Sequence, residues 1–167
     1  MRRTLRTLAL AASLAVALPG PAGASAMLAT TPACEVLSEA ELGKMMGQKL
    51  RGLGGTADIA YLSDCFWQSD GGGPSLEFVL MEEELLSPSG QTARSYLEQN
   101  MDAMDKAGSP FEHFPDIGDG AVLSEAPDTI FISLASGGDY LSIRLTGGKR
   151  ATILKIAEAA ARKMRAR

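Results

Sequence analysis

Hydrophobic and polar positions along this chain change period several times, and each change marks an element. The first apolar block, Leu8 to Leu18, is nearly continuous; everything after Leu37 shows either helical spacing or strand alternation. Ser38 and Glu41 form a capping box with Leu37 and Leu42 placed to staple across it, and Gly47 follows as a stop, which predicts a helix over residues 38–46. The glycine-rich stretch Gly52 to Gly55 reads as a loop. Ile59, Tyr61, Leu62 and then Cys65-Phe66-Trp67 read as a strand, and Gly71-Gly72-Gly73-Pro74 connects it to a second one. In that second strand Leu76, Phe78 and Leu80 alternate with Glu77 and Val79, and Glu82-Glu83-Glu84 reads as its charged end.

From Gln91 to Ala107, Ala93, Leu97, Met101 and Met104 recur with helical spacing, beside Tyr96, until Gly108 and Pro110 end the run. Strands follow over residues 121–123, 129–134 and 140–145, the last pair joined through Gly137-Gly138-Asp139. Ile130, Ile132 and Leu134 share one face, as do Leu141, Ile143 and Leu145. A last helix over 150–165 sets Ile153, Ile156, Ala157, Ala160, Ala161 and Met164 on its inner side. The order helix, two strands, helix, three strands, helix predicts a single α+β domain: a mostly antiparallel sheet of about five strands with three helices packed on it.

The apolar block at the start has a different meaning. Arg2, Arg3 and Arg6 precede it, and Pro19, Gly20, Pro21 and the small residues Ala24-Ser25-Ala26 follow, the order of a secretory signal peptide. About 11 apolar residues fall well short of the roughly 20 that span a bilayer, so a retained anchor is not expected. Cleavage is expected after Ala26, with a second small-x-small site ending at Ala24. The expected organisation is a signal peptide at 1–26, a flexible mature N-terminus at 27–33, and a disulfide-containing domain at 34–167. The expected location is periplasmic or secreted, without a stable membrane anchor.

Residues 1–26 hold three of the 16 Lys and Arg and none of the 20 Asp and Glu, so the remainder carries 13 cations against 20 anions, a net −7. That balance disfavours nucleic acid and anionic lipid as partners. Arg162, Lys163, Arg165 and Arg167 sit at the end of the last helix, where cations are favoured. Cys34 and Cys65 are the only cysteines, an even pair in an oxidising compartment, and are expected to form one structural disulfide worth about 3 to 4 kcal/mol.

Candidate chemistry is sparse. His113, the only histidine, lies near Asp116 and Asp119 in a Pro/Gly-rich stretch; the three are weak candidates for a metal or an acid/base set, and turn geometry accounts for the two Asp as well. No Gly-x-Ser-x-Gly elbow exists, and Ser136 sits in a hairpin turn. The glycine loops lack phosphate and dinucleotide fingerprints, and no cofactor is expected. Tyr61, Phe66, Trp67 and Phe78 are candidate ligand-binding residues. Strand alternation requires Phe66 and Trp67 to face opposite ways, one into the core and one partly exposed. Met101 and Met104 are expected in the core.

The pieces Pro32-Ala33-Cys34-Glu35-Val36-Leu37-Ser38-Glu39-Ala40-Glu41-Leu42-Gly43, then Cys65-Phe66-Trp67, then Phe114-Pro115-Asp116-Ile117-Gly118-Asp119-Gly120-Ala121, resemble small exported bacterial domains of unknown function. Many of these are actinobacterial lipoproteins with a Cys-x-x-Leu-Ser/Thr opening and a later Cys-x-Trp/Tyr element. The resemblance implies a disulfide and a compact α+β fold similar to the PsbP-like sandwich, and it carries over no catalytic residues. This chain departs from the lipoprotein members in lacking a lipobox before Cys34, which argues against lipid tethering. The expected function is non-catalytic: binding of an envelope ligand or a partner protein. The alternative is a small periplasmic hydrolase or metal-dependent enzyme using His113, Asp116 and Asp119.

Overall fold

A computed structural model of the chain describes residues 31–57 and 59–167. The expected signal peptide at 1–26 and residues 27–30 lie outside the described residues. Seven strands form one antiparallel sheet: β1 (Leu50–Gly54), β2 (Leu62–Ser69), β3 (Ser75–Met81), β4 (Glu112–Phe114), β5 (Gly120–Ala126), β6 (Thr129–Ser136) and β7 (Asp139–Thr146). Their spatial order is β1-β2-β3-β7-β6-β5-β4, two meanders joined through the β3–β7 pair. The helices are α1 (Pro32–Val36), α2 (Glu39–Met46), α3 (Glu83–Leu86), α4 (Ala93–Lys106) and α5 (Arg150–Arg165).

The α+β class stands, but the expected count of about five strands and three helices is corrected to seven and five among the described residues. The expected Gly52–Gly55 loop is largely β1; Gly52 and Gly55 serve close approach, while Gly54 takes φ +87° where the register shifts. A Cβ on Gly52 would meet the Glu39 carboxylate at 3.3 Å and the Trp67 ring at 3.7 Å, and one on Gly55 would lie 1.9 Å from the Asp64 carbonyl oxygen. β4 is only three residues between Pro110 and Pro115, held at the rim by Arg150, which pairs with Glu112 and, at 2.9 Å, with Glu125. Glu82, Glu83 and Glu84 are not a charged strand edge: Glu82 is the N-cap of α3, and β3 lies inside the sheet between β2 and β7.

The start of the domain is also earlier than expected. Thr31 is buried and its hydroxyl donates to the Asp64 carbonyl at 2.6 Å, while the Ala33 N–H donates to Ser63 Oγ at 3.0 Å. Residues 31–33 thus belong to the packed domain rather than to a flexible N-terminus. Cys34 and Cys65 are disulfide-bonded with Cα atoms 5.1 Å apart, tying α1 to β2.

The two faces of the sheet differ. Alternation along β2, β3, β6 and β7 sends Cys65, Trp67, Leu76, Phe78, Leu80, Ile132, Leu134, Leu141, Ile143 and Leu145 to one face, where they form the main core. There α5 buries six side chains, and α1 and α2 fill the β1–β3 end. The α2 capping box holds as expected, with Ser38 Oγ accepting from Glu41 N–H and the Glu41 carboxylate accepting from Ser38 N–H. Across the sheet α4 covers only part of the opposite face, in a separate small cluster with Leu86, Val122, Ala135 and Tyr140.

Candidate functional site

The register of the uncovered part of the sheet defines the candidate site. Phe66 on β2 lies opposite Glu77 on β3, Glu77 opposite Arg144 on β7, and Arg144 opposite Phe131 on β6. Residues directly opposite share a face, so these four side chains form one cross-strand row spanning about 15 Å at the usual strand spacing. Their chain neighbours point into the core: Cys65 and Trp67 flank Phe66, Leu76 and Phe78 flank Glu77, Ile143 and Leu145 flank Arg144, and Ile130 and Ile132 flank Phe131. The alternation that builds the core therefore also presents this row outward.

At the centre of the row Arg144 and Glu77 form an ion pair at 2.5 Å, with side chains 47% and 18% exposed. Burial raises the Glu77 carboxyl above its ordinary value; the Arg144 guanidinium opposes that shift and the Asp64 charge adds to it. Phe66 is half-buried at one end and Phe131 is 37% exposed at the other.

Two shallow clefts lie on either side of Phe66 along β2. One, of about 310 Å³, is lined by Arg51, Leu53 and Gln68; the other, of about 190 Å³, by Ile59, Leu62, Asp64 and Val79. Leu53, Ile59 and Tyr61 are 50%, 55% and 50% exposed, the largest exposures among the large apolar side chains of the described residues. Leu53 is the extra residue where the β1–β2 register shifts between Gly52 and Gly54, and the bulge turns it outward. Tyr61 sits at φ +65°, a left-handed backbone that is costly for a bulky residue, and its carbonyl accepts from Glu82 N–H at 2.9 Å. The Asp64 carboxylate is occupied by the N–H and hydroxyl of Thr56, so it fixes the loop beside the cleft. The arrangement is a mixed surface: Phe66 and Phe131 end a row centred on one ion pair, and the neighbouring rows are mostly polar, Gln68-Ser75-Thr146-Thr129 on one side and Asp64-Val79-Ser142-Ser133 on the other.

The aromatic candidates divide across the sheet. Trp67 and Phe78 pack edge to face in the main core, ring centroids 5.0 Å apart, whereas Phe66 stands on the outer side and Tyr61 is exposed in the turn before β2. The four do not line one pocket. His113, Asp116 and Asp119 are not brought together either. His113 lies opposite Val122 on the α4 side of the sheet, its Nε2 3.7 Å from where a Cβ on Gly120 would stand. Asp119 is engaged at the end of α5, where its carboxylate accepts from Arg165 at 3.3 Å and from Gly137 N–H at 3.1 Å. Asp116 lies in the intervening turn, beside a cleft of about 300 Å³ that it shares with Glu158, Arg162 and Arg165. Among the described residues no group of three or more His, Cys, Asp or Glu is placed to hold a metal ion.

Glu77, Arg144, Phe131 and Leu53 were not singled out from the sequence. Alternation assigns the first three to the outer face, but only strand register shows that they adjoin Phe66. Comparison of the chain with protein-family models, curated proteins and solved structures finds no match.

Proposed function

We propose that the chain is an exported, non-catalytic binding or accessory domain whose open sheet face docks a ligand or a partner protein of the cell envelope. The observation that carries the reading is the outward row Phe66, Glu77, Arg144, Phe131, flanked by exposed Leu53, Ile59 and Tyr61, on a sheet whose opposite face is fully packed. Aromatic and Arg side chains are the groups that most often dominate binding energy, and this row holds two Phe and one Arg. Export rests on the signal-like order of residues 1–26, and the disulfide between Cys34 and Cys65 is compatible with an oxidising compartment. Among the described residues no helix is long and apolar enough to cross a membrane. The resemblance to small exported bacterial domains belongs to the same reading. The enzyme alternative needs His113, Asp116 and Asp119 at one centre, and they lie apart.

The test is native mass spectrometry of the oxidised chain from Met27 onward after incubation with envelope extract. The expected result is a reproducible adduct that weakens at least about tenfold in the Phe66→Ala/Phe131→Ala double variant. An adduct indifferent to both substitutions, or a metal-sized increment lost with His113→Ala, would overturn the assignment to this face.

A further inference from the structure

The open face presents more hydrogen-bonding side chains than apolar ones, and their order limits what can cover it. Gln68, Ser75, Thr146 and Thr129 form one cross-strand row beside Phe66, Glu77, Arg144 and Phe131, and Ser142 and Ser133 lie in the row on the other side. These six neutral side chains all keep some exposure to solvent. Five of them are hydroxyls, which both donate and accept, and the Thr129 and Thr146 hydroxyls already meet at 3.3 Å.

Charge on the same face is balanced. Of the side chains that β1, β2, β3, β6 and β7 turn outward, Arg51 and Arg144 are cationic and Asp64 and Glu77 anionic, on a chain that carries a net −7 beyond residue 26. Glu77 and Arg144 are paired with each other, and the Asp64 carboxylate accepts from the Thr56 hydroxyl at 2.8 Å. A charged polymer therefore finds no field of opposite sign here to draw it in.

An apolar partner laid over the rows would strip water from the hydroxyls and return no bonds. A sugar chain replaces that water bond for bond, because its own hydroxyls also donate and accept. The C–H faces of its rings are apolar and suit the Phe66 and Phe131 rings, which stand about 15 Å apart at the usual strand spacing, room for several sugar rings in line. Between them Glu77 offers a carboxylate acceptor and Arg144 guanidinium donors.

We propose that the open face binds a neutral linear glycan of the cell envelope, with Phe66 and Phe131 stacked on sugar rings at its ends and Ser75, Glu77, Arg144 and Thr146 bonding hydroxyls between them. The assignment rests on the open face being the binding surface and adds the chemistry of the ligand.

The test titrates the isotope-labelled, oxidised chain from Met27 onward with cellohexaose, chitohexaose and maltohexaose to millimolar concentration, read by amide chemical shifts. With at least one of them, shifts are expected to be confined to residues 64–68, 75–79, 129–133 and 142–146, with an affinity unchanged between low and high salt. Phe131→Ala is expected to weaken that binding at least about tenfold. Thr146→Val keeps the size and branching of the side chain, removes only the hydroxyl, and is expected to weaken it about fivefold. No shift with any of the three sugars, shifts centred elsewhere, or binding indifferent to Thr146→Val would overturn the glycan. The adducts from envelope extract separate this from the wider reading: masses rising in steps of one sugar residue support the glycan. A protein-sized adduct that weakens in the Phe66→Ala/Phe131→Ala double variant would overturn it and leave the face as a docking surface.

Discussion

The two long helices pack on opposite faces of one sheet and bury different sets of side chains. α5 buries Ile153, Ile156, Ala157, Ala160, Ala161 and Met164, while α4, nearly as long, buries Ala93 and Leu97. Each fully buried Ile or Met contributes about 1.5 to 3 kcal/mol, so the helix with three of them holds the domain and the other adds comparatively little. The stabilities of the faces also have different chemistry. On the α5 side Glu41 of α2 carries a charged cap and pairs with Lys163 at 3.2 Å, whereas α4 is capped by neutral Thr92 and Ser95 and fastened through neutral Asn100 and Tyr140. One face of the sheet is covered along its length by the main core, while the other carries the smaller cluster and, beside it, the outward row.

The sharpest way to break this contrast is to truncate one side chain on each helix. Ile156→Ala is expected to lower the urea midpoint by the equivalent of about 2 to 5 kcal/mol, because the cavity lies in the main core. Leu97→Ala, in the smaller cluster, should fall at the low end of that range, at about 2 kcal/mol. Equal losses in paired urea melts would remove the distinction between the faces.

Acid provides a smaller effect that sharpens the same contrast. The Ser38 backbone N–H, then its hydroxyl, then Lys163 hold the Glu41 carboxyl down at about 2. A folded value below the unfolded one means the contribution is complete above about pH 4.5 and is lost as pH falls through about 2. Thermal melts should therefore decline over that window in the wild type and decline less in Glu41→Gln. The exchange protection of α4 should respond less than that of α5, since the α4 cap has no carboxylate. The smallest expected effect is at Tyr61: Tyr61→Gly relieves the left-handed backbone and should change stability by no more than about 1 kcal/mol in the favourable direction, as read from the same melts. If it instead destabilises strongly, the exposed ring is a packing element rather than a free surface group.

Most of the covered face was legible from residue patterns. The capping box of α2, the six inner residues of α5 and the alternation of β3, β6 and β7 are local signals, and local signals survive into the structure. What was hidden depends on partners distant in sequence. Gly52 and Gly54 look like a loop until Trp67 and the Glu39 carboxylate are seen against Gly52, and Glu112 to Phe114 is too short to show a period. The outer row was hidden in the same way: Phe66 was visible as half of an alternating pair, but its neighbours come from three other strands and are set by register alone. His113, Asp116 and Asp119 show the converse, near in sequence yet divided by the sheet, because a three-residue strand followed by a tight turn sends them to different sides.

At β1, the outermost strand on its side, the Gly52 N–H points away from the sheet and donates to Glu39 at 2.9 Å. That carboxylate occupies a position where the backbone of another molecule would otherwise begin a new strand, and the adjacent bulge at Leu53 spoils the register for the next bond. Addition of a further strand at this edge is thereby hindered by a single acid at the start of α2.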